Sequence, residues 1–336
     1  MRIARMLALI PSAGLLAAAW AASAEEIPAK YLFAREVTPA PLAPQPVGYY
    51  ARGCLSGAVA LPPDGPEWQA MRLSRNRYWG TPELVAFVKK LARDTKAQDG
   101  WPGLLVGDLG QPRGGPTPTD HSSHQNGLDV DIWFAPMPYP RLTAGERETM
   151  PLQSVLVPGS DYEVDMMRFP QGLDRVLRRA ASYPEVQRIL VNPGIKKILC
   201  ERAGRDRAWL SKIRPWYKHD DHMHVRLVCP PGASGCRSQK PPPSDDGCGV
   251  ALAYWLSPLP YKRTSEPEDE ETPPKEIMLS DLPAACTAIL NATGSAPLNP
   301  PPQQVMGSAS ETQADQPDQA DQPDRNCRRK FLGFCR

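Results

Sequence analysis

The chain has 336 residues, with 39 Lys and Arg against 37 Asp and Glu, 40 prolines, eight cysteines and five histidines. So even a charge balance offers no broad basic surface for nucleic acid or for an anionic membrane, and neither is expected as a partner. Beyond the amino terminus no apolar run approaches the roughly 20 residues that a membrane-spanning helix needs.

Residues 1–24 read as a cleaved secretory signal, which marks the mature chain for export. Arg2 and Arg5 precede a run of apolar and small residues, and Ala22-Ser23-Ala24 is a small-residue cleavage site. An even number of cysteines in an exported chain favours disulfides over reactive thiolates, and no C-x-x-C pair suggests a cysteine zinc knot.

Residues 25–47 form a proline-rich lead-in, with four prolines between positions 37 and 46 predicting an extended segment over the domain or free of it. Residues 49–66 read as loop with at most a short strand. A helix is predicted over 82–94: Thr81 caps it, Pro82 suits its first turn, and Leu84, Phe87, Val88 and Leu91 share one face. Residues 104–109 read as a buried strand and 111–119 as a Gly- and Pro-rich loop. Strict alternation over 128–134 then predicts a half-buried strand with Asp129, Asp131 and Trp133 on one face.

A second helix is predicted over 170–183, then a strand over 186–191 and a helix from Asn192-Pro193 to Cys200. Residues 222–228 alternate again, with His222, His224 and Arg226 opposite Met223, Val225 and Leu227. From about residue 291 the chain is low in complexity, QADQPD occurring twice between 313 and 324, and disorder is expected there apart from a loop closed by Cys327 and Cys335. The expectation is one α+β domain over 48–290: a central antiparallel sheet carrying the site, flanking helices and disulfide-stapled loops.

All five histidines fall in two clusters, His121 with His124 and His219 with His222 and His224, each cluster leading into an alternating strand. Histidine and carboxylate side chains so placed fit a zinc site of three protein ligands, in which the metal polarises a carbonyl and lowers the pKa of its water while a spare histidine moves the proton. A lone H-x-H on a strand is weak evidence, and Asp129 with Asp131 would equally suit a solvated face. The convergence of both clusters carries the argument. No H-E-x-x-H, G-x-S-x-G or S-x-x-K with K-T-G competes with it.

The pattern His124-x6-Asp131 with a later His222-x-His224 resembles the lysostaphin, D-Ala-D-Ala metallopeptidase and sonic hedgehog group. Within it, M-R-L-S-R-N-R-Y-W-G from Met71, G-D-L-G-Q-P-R-G-G from Gly107, H-S-S-H-Q-N-G-L-D-V-D-I-W from His121, R-P-W-Y from Arg214 and H-M-H-V-R-L-V-C-P from His222 are similar to the penicillin-insensitive murein endopeptidase family. The resemblance implies Zn2+ on His124, Asp131 and His224, with His121 close by as a further ligand or a substrate contact. It implies His222 as general base, with His222 or His219 protonating the leaving amine, and hydrolysis of D-alanyl to meso-diaminopimelyl crosslinks in peptidoglycan, with the periplasm as the destination of the exported chain. It also implies the pairs Cys54–Cys286, Cys200–Cys248 and Cys229–Cys236.

Asp129 is expected to orient a ligand or the water. Acids at 161–165 come without a histidine, which argues against a second metal. Trp133, Trp216 and Tyr217 either line the groove or pack in the core, and Arg226 meets either a substrate carboxylate or an acid of the chain. The rival functions are a non-catalytic zinc-bound wall-binding module and a zinc D-Ala-D-Ala carboxypeptidase. The sequence leaves the oligomeric state open.

Overall fold

The alternation over 128–134 and 222–228 becomes two neighbouring strands, Asp129–Pro136 and His222–Leu227, in a computed structural model that describes residues 27–261 and 276–294. The signal, the low-complexity tail and the pairing of Cys327 with Cys335 lie outside the described residues. The two strands run antiparallel, with Asp131 opposite His224 and Asp129 opposite Arg226. Since side chains directly across a pair share a face, this register puts the acids of one strand beside the imidazole and guanidinium of the other.

These strands sit at the middle of a seven-stranded sheet. Its order is Ile213–Pro215, Val186–Val191, His222–Leu227, Asp129–Pro136, Leu104–Val106, Trp68–Ala70 and Asp64–Gly65. The centre is antiparallel, as expected for the site-bearing strands, whereas Ile213–Pro215 runs parallel to Val186–Val191, and Trp68–Ala70 runs parallel to Leu104–Val106. One sheet face, with Val130, Ile132, Met223 and Val225, packs against the helices Pro82–Gln98 and Leu173–Ser182 to form the main core. The Thr81 side chain accepts from the Leu84 backbone at 3.2 Å, and the helix it caps runs four residues beyond its predicted end.

Two expectations are corrected, and one element is unanticipated. Residues 49–66 are not mostly loop, because Arg52–Ser56 pairs antiparallel with Gln45–Tyr49 and is buried at Cys54 and Leu55. Glycine and proline hide this hairpin from periodicity. The Asp129 strand is not half-buried: Asp129 to Phe134 are all buried, since the loop carrying Asp108 and His124 covers its second face. Before the proline run, the lead-in contains a short helix, Ala29–Ala34, whose Phe33 is fully buried against Cys54, Cys286 and Leu290.

Disulfides join Cys54 to Cys286, Cys200 to Cys248 and Cys229 to Cys236, the three pairs that the resemblance implies. No helix among the described residues is long and apolar enough to cross a membrane.

Candidate metal centre

Asp131 is fixed by its backbone before its side chain acts. Its N–H donates to the Asp108 carbonyl at 2.9 Å, and its own carbonyl accepts from Gly107 N–H at 2.8 Å. A Cβ on Gly107 would stand 3.0 Å from Trp133 and 3.3 Å from the Asp131 Cβ, so a larger residue there would push the loop or its neighbours apart by a few tenths of an ångström. His124 arrives from the same loop with φ +66, a conformation costing about 1 kcal/mol for a residue with a Cβ. Its N–H donates to Asp129 Oδ2 at 3.0 Å, which holds the bend.

The ring nitrogens can be assigned from their partners, because a carbonyl or carboxylate oxygen only accepts. His124 Nδ1 donates to the Leu109 carbonyl at 2.5 Å, which leaves a lone pair on Nε2. His224 turns Nε2 towards Asp129 Oδ1 at 3.3 Å and Nδ1 inwards. The two inward nitrogens are 3.1 Å apart, and each faces Asp131 Oδ1, at 3.3 Å from His124 and 3.1 Å from His224. That oxygen is buried and accepts no hydrogen bond. Three acceptor atoms thus crowd together with no proton between them unless an imidazole is charged.

Such a triangle fits a cation. Donor atoms at 2.0 to 2.1 Å around a four-coordinate ion such as zinc stand about 3.3 Å from one another. His121 widens the group, its ligand atom lying with those of His124 and Asp131 within 4.8 Å of one another. The acids at 161–165 belong to no comparable group among the described residues.

Two further imidazoles are backed by acids that residue patterning did not single out. His121 Nε2 donates to Asp108 Oδ2 at 2.9 Å, turning Nδ1 to Asp131 Oδ2 at 3.6 Å. His222 Nδ1 donates to Asp221 Oδ1 at 2.6 Å, turning Nε2 to the same Asp131 oxygen at 3.7 Å. His219 Nδ1 donates to the Tyr217 carbonyl at 2.7 Å. Asp108 lies in the G-D-L-G-Q-P-R-G-G stretch and Asp221 directly precedes His222, so proximity of an acid to a histidine was the sole available signal.

Electrostatics separate the histidines. Burial lowers the basicity of His222, but Asp131 and Asp221 outweigh it and raise its pKa to about 9. Burial and the neighbouring His222 and His224 push His219 down to about 3. Burial alone would raise Asp131, yet His124 and His222 hold it well below the usual carboxylate range. Asp129 is fully buried and is likewise held down, chiefly by Arg226.

Arg226 answers the question its sequence left open. It is 3% exposed, donates to both Asp129 oxygens at 2.9 and 3.2 Å and to Gln239 at 2.7 Å, and lies 4.1 Å over the Tyr50 ring. It pairs with an acid of the chain. Trp133 is buried among Met71, Leu105 and Met137, although it also borders the cleft, as Trp216 does. Tyr217 is 39% exposed and packs on Trp255, its hydroxyl donating to the Pro260 carbonyl.

The donor group opens into a cleft of about 1270 Å³, roomier than a typical small-molecule pocket. The sequence profile of the penicillin-insensitive murein endopeptidases matches residues 46–291. Proteins of that name from Haemophilus influenzae and Pectobacterium atrosepticum are 42% and 41% identical over 74% of this chain and 82% and 84% of their own lengths. One from Klebsiella pneumoniae is 38% identical over 85% of this chain and 96% of its own. With its donor triangle inside the matched span, the chain belongs to the penicillin-insensitive murein endopeptidase family.

Proposed function

We propose that the protein is a zinc endopeptidase of the bacterial periplasm that hydrolyses the D-alanyl to meso-diaminopimelyl amide crosslinking peptidoglycan stems. The observation that carries this reading is the triangle of lone-pair atoms from His124, Asp131 and His224, with edges of 3.1 to 3.3 Å, at the floor of an open cleft. A divalent ion held there supplies Lewis acidity, polarising the scissile carbonyl and making water more acidic.

The chain's own groups do the rest. His222, oriented by Asp221, takes a proton from the attacking water once a cation beside Asp131 offsets the carboxylates that raise its pKa, and returns it to the amine released when the C–N bond breaks. His219, of low basicity, helps to position the substrate rather than carry that proton. Asp129 fixes the ring of His224 and is itself fixed by Arg226, the kind of support that keeps a ligand in register. His121, held by Asp108, turns the lone pair of Nδ1 towards the outer oxygen of Asp131 and so adds a further donor atom beside the triangle. Three disulfides among the described residues fit an oxidising compartment.

Digestion of purified crosslinked sacculi tests the reading. Monomeric muropeptides should appear, cease with a chelator and persist with penicillin. Absence of monomers would favour a binding module, and release of D-alanine alone from uncrosslinked pentapeptide would favour a carboxypeptidase; either sinks the proposal.

A further inference from the structure

Six cationic side chains border the cleft: Lys30, Arg52, Arg72, Arg75, Lys218 and Arg226. Four are committed. Lys30 pairs with Glu276 at 2.6 Å, Arg75 with Asp108 and Asp120 at 3.0 and 3.2 Å, and Arg226 with buried Asp129. Arg72 donates to the carbonyls of Arg147, Glu148 and Met150 and lies over the Trp133 ring. Arg52 and Lys218 are exposed, and neither finds a side-chain partner among the described residues. A cleft that keeps two charges for its ligand is prepared for an anion.

The backbone distinguishes Lys218 from Arg52. Lys218 and His219 have φ of +56 and +51, two successive left-handed residues that both carry a Cβ. Strain of this kind persists only where its surroundings impose it. Asn192 does so here: its side-chain amide donates to the Lys218 carbonyl at 3.3 Å, and its backbone N–H donates to the His219 carbonyl at 2.8 Å. The Trp216 N–H donates to Val191 at 2.9 Å and secures the approach. Lys218 is thus set at the mouth of the cleft directly beside His219, whose ring centroid is 5.0 Å from that of His222.

This inference rests on the proposed function. In that crosslink the amine released by hydrolysis sits on a carbon that also carries a carboxylate. The proton returned by His222 is delivered to that nitrogen, so the carboxylate lies one carbon from the place of proton delivery, and of the two cations without a side-chain partner among the described residues Lys218 is the one that adjoins the His219–His222 pair. We infer that Lys218 binds the free carboxylate on the amine side of the scissile amide, so that the protein selects diaminopimelyl crosslinks bearing that carboxylate over those in which it is a carboxamide. A lysine, a compact charge on a flexible stem, suits a single carboxylate on a mobile peptide.

The test uses two crosslinked muropeptide dimers that differ only in this carboxylate or carboxamide, with kcat/KM measured on each. The full-length protein should prefer the free acid by about tenfold, the scale of one charged hydrogen bond. Lys218→Met should bring the ratio close to one, Lys218→Arg should keep most of it, and Arg52→Met should keep it all. A ratio rather than a rate is read, so a loss of folded protein cannot imitate the effect. No preference in the wild-type protein, an undiminished preference in Lys218→Met, or a preference erased by Arg52→Met would each overturn the inference. Failure of the wild-type protein to cleave either dimer would instead refute the proposed function, and the inference with it.

Discussion

Arg226→Met removes the guanidinium from Asp129, a carboxylate with no exposure to solvent, and leaves a buried charge without its principal partner. Breaking a buried pair from one side costs about 3 to 5 kcal/mol. In a domain of this size each kcal/mol moves the midpoint by about 2 to 4 °C, so the metal-free variant should melt about 6 to 20 °C below the wild-type protein. Thermal unfolding followed by circular dichroism, in chelator, reads this directly. Removing both partners, as in Asp129→Leu with Arg226→Met, leaves no uncompensated charge, and the double variant should recover at least half of the loss. A decrease below about 1 kcal/mol for Arg226→Met alone would refute the reasoning, since such values belong to exposed pairs.

His222→Ala should keep the metal and lose nearly all turnover on sacculi, whereas His224→Ala should lose both; a fully active His222→Ala protein would remove His222 from the mechanism. Asp108 is buried, and although burial alone would raise its pKa, His121, Arg77 and Arg75 hold it down to about 2. A carboxylate with a lowered folded-state pKa contributes stability above its unfolded value of 3.8 and loses it as pH falls towards 2, so Asp108→Asn should cost about 2 kcal/mol at pH 7, with the gap closing between pH 5 and pH 2 in denaturant titrations. Replacing Cys200 and Cys248 together by serine frees a loop with a sequence separation of 48 and should cost up to about 4 kcal/mol; an unchanged denaturation midpoint would contradict that estimate.

What the sequence made legible was local or periodic. Alternation located Asp129, Asp131, His222 and His224 on strands, and Thr81-Pro82 and Asn192-Pro193 marked two helix starts that the structure keeps. Pairing partners were out of reach, because they depend on register. Arg226 could be read two ways until Asp129 stood opposite it, and the support of His121 by Asp108 spans a loop in which no periodicity operates. The Gln45–Ser56 hairpin was hidden because its stability comes from Phe33, Cys286 and a disulfide, all distant in sequence. The left-handed bend at Lys218 and His219 left no trace either, since lysine does not advertise that conformation and the enrichment of histidine there is too weak to locate a bend.

The central claim is that His124, Asp131 and His224 hold a divalent ion on which hydrolysis depends. Elemental mass spectrometry on folded wild-type, Asp131→Ala and His224→Ala proteins, each also assayed on sacculi, tests it most directly. The account predicts one zinc per chain in the wild-type protein, and neither bound zinc nor muropeptide release in the two variants. Full metal occupancy in either variant, or wild-type hydrolysis that continues after the metal has been stripped, would contradict it.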